Sequence, residues 1–226
     1  MVTSDTTCFG GDAVAQPQPP YPVQFSVDYP DRPLDRLSSF FRILAIIPIA
    51  IVLGLVSGGG NFSDNNGDTS WGFALGAGGL LFGAPLLMIL FRQKYPRWWF
   101  DWNLQLLRFS NRVTAYLFLL RDEYPSTDEE QAVRLDFPYP DVPRDLNRWL
   151  PLIKWFLAIP HYIVLLFLYI GVVVVVVFAW FVILFTGRYP RGLFDFVVGT
   201  MRYTNRVIGY AFILVTDRYP PFSLAA

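Results

Sequence analysis

The chain has 226 residues, of which 54% are hydrophobic, 18% aromatic and only 16% charged, against about a quarter charged in an ordinary soluble domain. Its 18 basic residues balance its 18 acidic ones, so no net charge points to nucleic acid or to an acidic substrate. One cysteine, Cys8, and one histidine, His161, exclude an internal disulfide framework and leave too few soft ligands for a zinc or bis-histidine haem site. No metal and no cofactor is expected.

Residues 1–22 are small and polar and end in a Pro-rich run from Gln16 to Pro22. With neither a positive start nor an apolar centre, this stretch is read as a disordered tail and not as a signal peptide. Val23 to Asp28 then alternates apolar and polar residues up to Tyr29-Pro30, the pattern of a short strand. Val133 to Phe137 has the same pattern and stops at Tyr139-Pro140, 110 positions later. The two strands are expected to pair outside the bilayer and clasp the two halves of the chain together.

The first apolar span runs from Phe40 to Val56, with Arg42 near its start and Pro48 inside it. It is close to the lower length limit of a membrane-crossing helix. A polar loop without Lys or Arg follows, and then a second span from Trp71 to Phe91. Gly72, Gly76, Gly79 and Gly83 recur there at steps of four, three and four, which places them on one helical face as a groove for a close-packed neighbour. In the second half, Leu150 to Phe185 is apolar apart from Lys154 and His161, with Pro160 in the place of Pro48. Taken as one helix the stretch is about 54 Å long, too long for one crossing, so two helices with a turn near Tyr169-Ile170-Gly171 are expected, either crossing fully or, each half being short, as a re-entrant hairpin. His161 is expected to cap a free carbonyl or to sit near the membrane interface.

Each apolar hairpin is followed by a Tyr-Pro-Arg turn, at Tyr95 and again 94 positions later at Tyr189. Asp101, Gln105, Arg108 and Arg112 then form one polar stripe on a helix, and Asp195, Gly199, Arg202 and Arg206 repeat it. Three charges in so short a stretch are costly at the bilayer centre. These segments are therefore expected to lie in the plane of the membrane surface, with Trp98, Trp99 and Trp102 at headgroup depth; burial between helices is the other solution. Two roles stay open for the charges. Asp101 pairs with Arg108 or with an Arg of the other copy, or the arginines Arg108, Arg112, Arg202 and Arg206 grip anionic lipid headgroups or a partner's carboxylates. The acidic run from Asp122 to Glu130 reads as a solvated connector.

Arg32, Arg36, Arg92, Lys94 and Arg97 flank the first hairpin, and Arg144, Arg148, Arg188 and Arg191 the second. The bias of positive charge then puts both termini and both amphipathic segments in the cytoplasm. The expected fold class is an all-α polytopic membrane protein of two tandem repeats, each a transmembrane helical hairpin plus an interfacial amphipathic helix, with short cytoplasmic β-strands. Its expected divisions are the tail 1–22, a first repeat 23–125, an acidic linker 126–132 and a second repeat 133–226. No GxSxG, P-loop, GxGxxG, HExxH or CxxC motif occurs, and no enzyme activity is expected.

Tandem units of a strand ending in Tyr-Pro, a hydrophobic hairpin, a Tyr-Pro-Arg turn and an Arg-x-x-Asn-Arg-Val segment resemble a prokaryotic membrane family known mainly as a domain of unknown function. The close of the chain, Ala211 to Leu224 with Asp217-Arg218-Tyr219-Pro220-Pro221-Phe222-Ser223-Leu224, is similar to that family's ending. The resemblance spans residues 23–224 and departs at Tyr124-Pro125, which Ser126 follows in place of Pro-Phe. It implies a bacterial or archaeal source and a cytoplasmic membrane, and brings no activity with it. The function expected is a non-catalytic accessory or scaffold subunit of a larger membrane complex, with membrane lipids and partner subunits as its contacts. The alternative is a lipid-binding or transport protein using the groove between the repeats.

Overall fold

The structure, a computed structural model, describes residues 21–57, 77–127 and 129–225. The Pro-rich tail up to residue 20, the polar loop 58–70, and the start of the second apolar span with Gly72 and Gly76 lie outside them. The elements run β1 (Gln24–Val27), α1 (Arg36–Ser57), α2 (Ala77–Arg92), α3 (Arg97–Leu117), β2 (Val133–Asp136), α4 (Val142–Asp145), α5 (Leu150–Leu157), α6 (Ile159–Thr186) and α7 (Arg191–Ala211). The chain is thus mostly helical.

The two strands pair antiparallel, with Phe25 opposite Leu135 and Val27 opposite Val133. Those four side chains form the buried face, while Gln24, Ser26, Arg134 and Asp136 face outward. Slippage by one residue would turn the apolar face to water. A lone two-stranded sheet is marginal in water, and this one is stabilised by helices packed against it: α3 on β2 and α7 on β1. The strand at the start of the chain therefore rests on the last helix. Around the pair, Phe25, Leu135, Phe137, Phe100, Phe194 and Leu120 belong to the main buried core.

Two glycines of α7 allow this close packing. A Cβ on Gly209 would stand 2.8 Å from Cγ2 of Val23, and one on Gly199 would stand 2.9 Å from Cβ and 3.1 Å from the carbonyl oxygen of Leu224. Val23 is itself buried, so it has little room to yield. Gly209→Ala is expected to destabilise the fold by about 1–3 kcal/mol through overpacking, read as a lower midpoint of thermal unfolding in detergent. An unchanged midpoint would mean that the N-terminal strand is not held against α7.

The long apolar stretch of the second half breaks once, at Ala158, and not at Tyr169-Ile170-Gly171. Proline at position 160 lacks the N–H that would continue α5, and α6 starts afresh from Ile159. From there it runs unbroken through the expected turn. Gly171 serves as a notch: the Phe196 ring of α7 comes within 3.3 Å of where its Cβ would be. At 1.5 Å per residue, α6 is about 42 Å long, more than the ~30 Å of bilayer hydrocarbon. Among the described residues, α6 is the one helix long and apolar enough to cross a membrane. Only 11% of its most apolar window is buried, and Phe167, Val174, Phe178 and Phe185 are among its exposed side chains. That is far more bare apolar surface than water tolerates on one element. The valine run 172–177 remains helical, which satisfies its own backbone hydrogen bonds. In α1, by contrast, Pro48 sits inside a continuous helix.

Candidate functional site

The arginines of the two stripes turn inward from α3 and α7, onto the backbone of the strand pair and its flanking segments. The amide of Asp28 donates to the carbonyl of Ala132, which sets the phase of the ladder. Phe25 and Leu135 consequently form a non-hydrogen-bonded pair whose carbonyls point away from the shared ladder. Arg202 Nε donates to the Phe25 carbonyl at 3.1 Å, and Arg108 Nε donates to the Leu135 carbonyl at 2.8 Å. Each outer edge of the small sheet is covered by one guanidinium. Arg202 also donates to the carbonyl of Leu224, Arg112 to that of Ser126, and Arg206 to those of Ser223 and Ala225. Burial lowers the pKa of Arg202 and Arg206, and at Arg202 the charge of Asp195 opposes the shift.

The expected Asp101–Arg108 pair is absent. Asp101 and Asp195 are exposed and make no ion pair among the described residues. Arg108 meets Asp136 of β2 at 3.3 Å instead. The guanidiniums take carbonyl acceptors because the strand edges offer them in a partly dry setting, where an unpaired carbonyl is costly. Of the glycine face, Gly79 lies on α2, and a Cβ at Gly83 would meet nothing within 4 Å.

Between the two amphipathic helices, Asn111 and Asn205 form a reciprocal amide pair. Each Nδ2 donates to the other's Oδ1, at 2.9 and 2.8 Å. Each also donates to the carbonyl four residues back in its own helix, Leu107 or Met201. Both side chains are buried.

A second matched set escaped the sequence reading. Arg42 of α1 is 2% exposed. It pairs with Asp122, donates to the carbonyls of Tyr116 and Arg121, and stacks 4.5 Å from the centre of the Tyr116 ring. Lys154 of α5, 112 positions later, is 0% exposed. It pairs with Asp217 at 2.7 Å, donates to the carbonyl of Thr216, and lies 5.0 Å from the centre of the Tyr210 ring. Burial lowers the pKa of Lys154, and the hydrogen bond and charge of Asp217 oppose that shift. Each aspartate uses its other oxygen to accept a backbone amide just ahead of α1 or α5, Asp122 from Asp35 and Asp217 from Asn147. Asp122 is therefore an internal partner and not part of a solvated connector. The signal was present: the alignment that places Pro160 on Pro48 also places Lys154 on Arg42.

The turns that deliver these aspartates hold bulky residues in the left-handed region, Leu119 with φ 62° and Leu214 with φ 60°. Both are buried, and each such conformation costs on the order of 1–3 kcal/mol. The amides that follow, of Leu120 and Val215, return to carbonyls of α3 and α7, at Ala115 and Gly209. The turn is a helix cap that aims a carboxylate at a buried cation.

His161 caps no carbonyl among the described residues. It is fully buried, with Nδ1 2.5 Å from the hydroxyl of Tyr203 and its ring against Phe222 and Tyr219, at centre distances of 4.4 and 4.6 Å. Burial pushes the Tyr203 phenol up to about 12, which keeps that partner neutral. Two tyrosines of the Tyr-Pro motifs complete the scaffold. Tyr29 donates to the carbonyl of Tyr189 and Tyr139 to that of Tyr95, with Arg191 and Arg97 over their rings.

Among the described residues no group of three His, Cys, Asp or Glu side chains is placed to hold a metal ion. No curated protein and no solved structure matches the chain. A family model described as Domain of unknown function (DUF4389) matches residues 149–223, from Trp149 just ahead of α5 to Ser223 beyond α7, and this stretch carries such a domain.

Proposed function

We propose that the protein is a multi-pass integral protein of the cytoplasmic membrane, built from two repeats with both termini in the cytoplasm, and that it serves as a non-catalytic accessory or scaffold subunit of a larger membrane complex. The observation that carries this reading is the division of labour between polar and apolar surfaces. The polar groups that could build a site, four arginines, two buried cations and a pair of amides, are engaged in holding the chain to itself. What α2 and α6 offer outward is apolar helix surface. Gly83, Leu87 and Phe91 follow one another at steps of four on α2, with open space at Gly83 and exposed side chains at the other two. A small residue followed by exposed apolar ones suits the close approach of a partner's helix. The paired contacts at corresponding sequence positions support a two-repeat core with the strand pair at its centre.

Native mass spectrometry on protein extracted gently from its own membrane tests this reading. A stable assembly with other subunits is expected, and Gly83→Leu is expected to release them while leaving the melting of the isolated chain unchanged. A lone monomer or homodimer carrying a stoichiometric lipid would overturn the reading in favour of lipid binding or transport in the groove between the repeats.

A further inference from the structure

Three cations without an ion pair among the described residues gather at the polar end of α6. Thr186 ends that helix, Gly187 turns the chain with φ 72°, and Arg188 and Arg191 follow. A segment from the far end of the sequence is fastened to this turn. The amide of Leu34 donates to the carbonyl of Gly187 at 2.8 Å, and the hydroxyl of Tyr29 donates to the carbonyl of Tyr189. The two fastenings bring Arg32 beside Arg188 and Arg191 around a cleft of about 360 Å³. One carboxylate, Asp31, shares its lining. None of the three arginines forms an ion pair among the described residues. Arg191 is held 4.7 Å over the Tyr29 ring, which fixes its plane, and as the first residue of α7 it stands at the positive end of a helix dipole. Three guanidiniums against one carboxylate, fixed by backbone bonds, make a receptor for a doubly bonded oxyanion.

A cleft of the same construction occurs where α2 ends. Arg92, Lys94, Tyr95, Tyr139 and Asp141 line it, at sequence positions that match those of the first cleft, apart from Arg92. Asp141 there is drawn to Arg144 at 3.6 Å. Valine, as Val142, stands where the first cleft has Arg32, so the α6 cleft has the stronger set of donors.

We propose that the cleft formed by Arg32, Arg188 and Arg191 binds the phosphate of an acidic phospholipid headgroup. Its position decides the source of the phosphate. The bare apolar side chains of α6 lead up to Phe185, two residues before the turn, so a lipid whose chains lie along α6 has its phosphate level with these arginines. The inference rests on α6 crossing the bilayer and not on membership of a complex, so the two fail separately.

The test uses the full chain in detergent micelles that contain equal amounts of dioleoyl phosphatidylglycerol and dioleoyl phosphatidylcholine. Lipid retained on the protein is measured by native mass spectrometry. Wild-type protein is expected to retain phosphatidylglycerol selectively, and R32Q/R188Q to bind it about thirtyfold more weakly, two surface cations being lost. Arg188→Lys, which keeps the charge, should retain most of the binding. Both glutamine positions carry exposed side chains without a side-chain partner among the described residues, so melting in lipid-free detergent should not change. If the double variant does melt lower, Arg188→Gln alone gives the same reading at reduced amplitude. Wild-type retention in the variants, or equal retention of both lipids by the wild type, overturns the proposal. Displacement of the lipid by millimolar inorganic phosphate, with phosphate alone raising the melting point, assigns the cleft to a free phosphate and overturns the lipid source.

Discussion

Arg42→Met is expected to destabilise the protein by about 3–5 kcal/mol, the range for removing one partner of a buried ion pair. The methionine fills the volume of the stem but leaves three acceptors behind: the carboxylate of Asp122 and the carbonyls of Tyr116 and Arg121. Asp122 is 29% exposed, so water reaches part of it and the cost falls toward the lower end of that range. Lys154→Met should cost less than Arg42→Met, because it orphans only Asp217 and the carbonyl of Thr216. The order of the two effects, read from thermal unfolding in detergent, checks the contact inventory as well as the size. In a chain of this length the larger effect corresponds to a fall in melting temperature on the order of 10 °C. Arg42→Lys, which gives the first cluster the cation of the second, should recover most of the loss. A change below about 1 kcal/mol for Arg42→Met would instead place Arg42 among solvent-screened surface pairs.

The second large effect concerns the amide pair. Asn111→Leu leaves the carbonyl and one N–H of Asn205 without partners in a buried setting, at about 2–3 kcal/mol. Asn205→Leu does the same to Asn111. The double substitution removes both sets of polar atoms at once and puts two apolar side chains of similar size in contact. It should cost markedly less than the two single changes added together, with a coupling of about 1–3 kcal/mol. Additive losses would mean that the two amides do not meet. This cycle also reports on the whole arrangement, since Asn111 and Asn205 touch only if α3 and α7 approach each other beside the strand pair.

The strands were legible because period-two alternation and a closing Tyr-Pro occur twice, and the same repetition marked out the two amphipathic helices. What the arginines of those helices do was not legible. Their acceptors are backbone carbonyls of Phe25, Leu135, Ser126 and Leu224, and a carbonyl has no signature in an amino-acid sequence. Asp101 and Asp195 shared a stripe with the arginines and drew the pairing to themselves, yet they lie at the outer edge of it. Gly171 was misread for a related reason. A glycine marks a turn or a close approach, and only the position of Phe196 separates the two. The buried cations were hidden by chemistry and by spacing. One is Arg and the other Lys, and their aspartates are 95 positions apart where the neighbouring arginines are 94 apart.

The rest of β1 on α7, and not on the helix of its own half, has a consequence for how the protein is made. A ribosome adds about 5–20 residues each second, so β1 emerges about 10–40 s before the helix that receives it. During that interval Phe25 and Val23 lack the cover of α7, and α1 and α2 are made before the clasp can form. β2, by contrast, follows α3 directly and can dock as it appears. Biogenesis is thereby made sequential: β1 can pair with β2 as soon as that strand appears, but its outer edge is covered only when α7 arrives. A chain interrupted before Arg202 leaves the Phe25 carbonyl edge open to quality-control proteases.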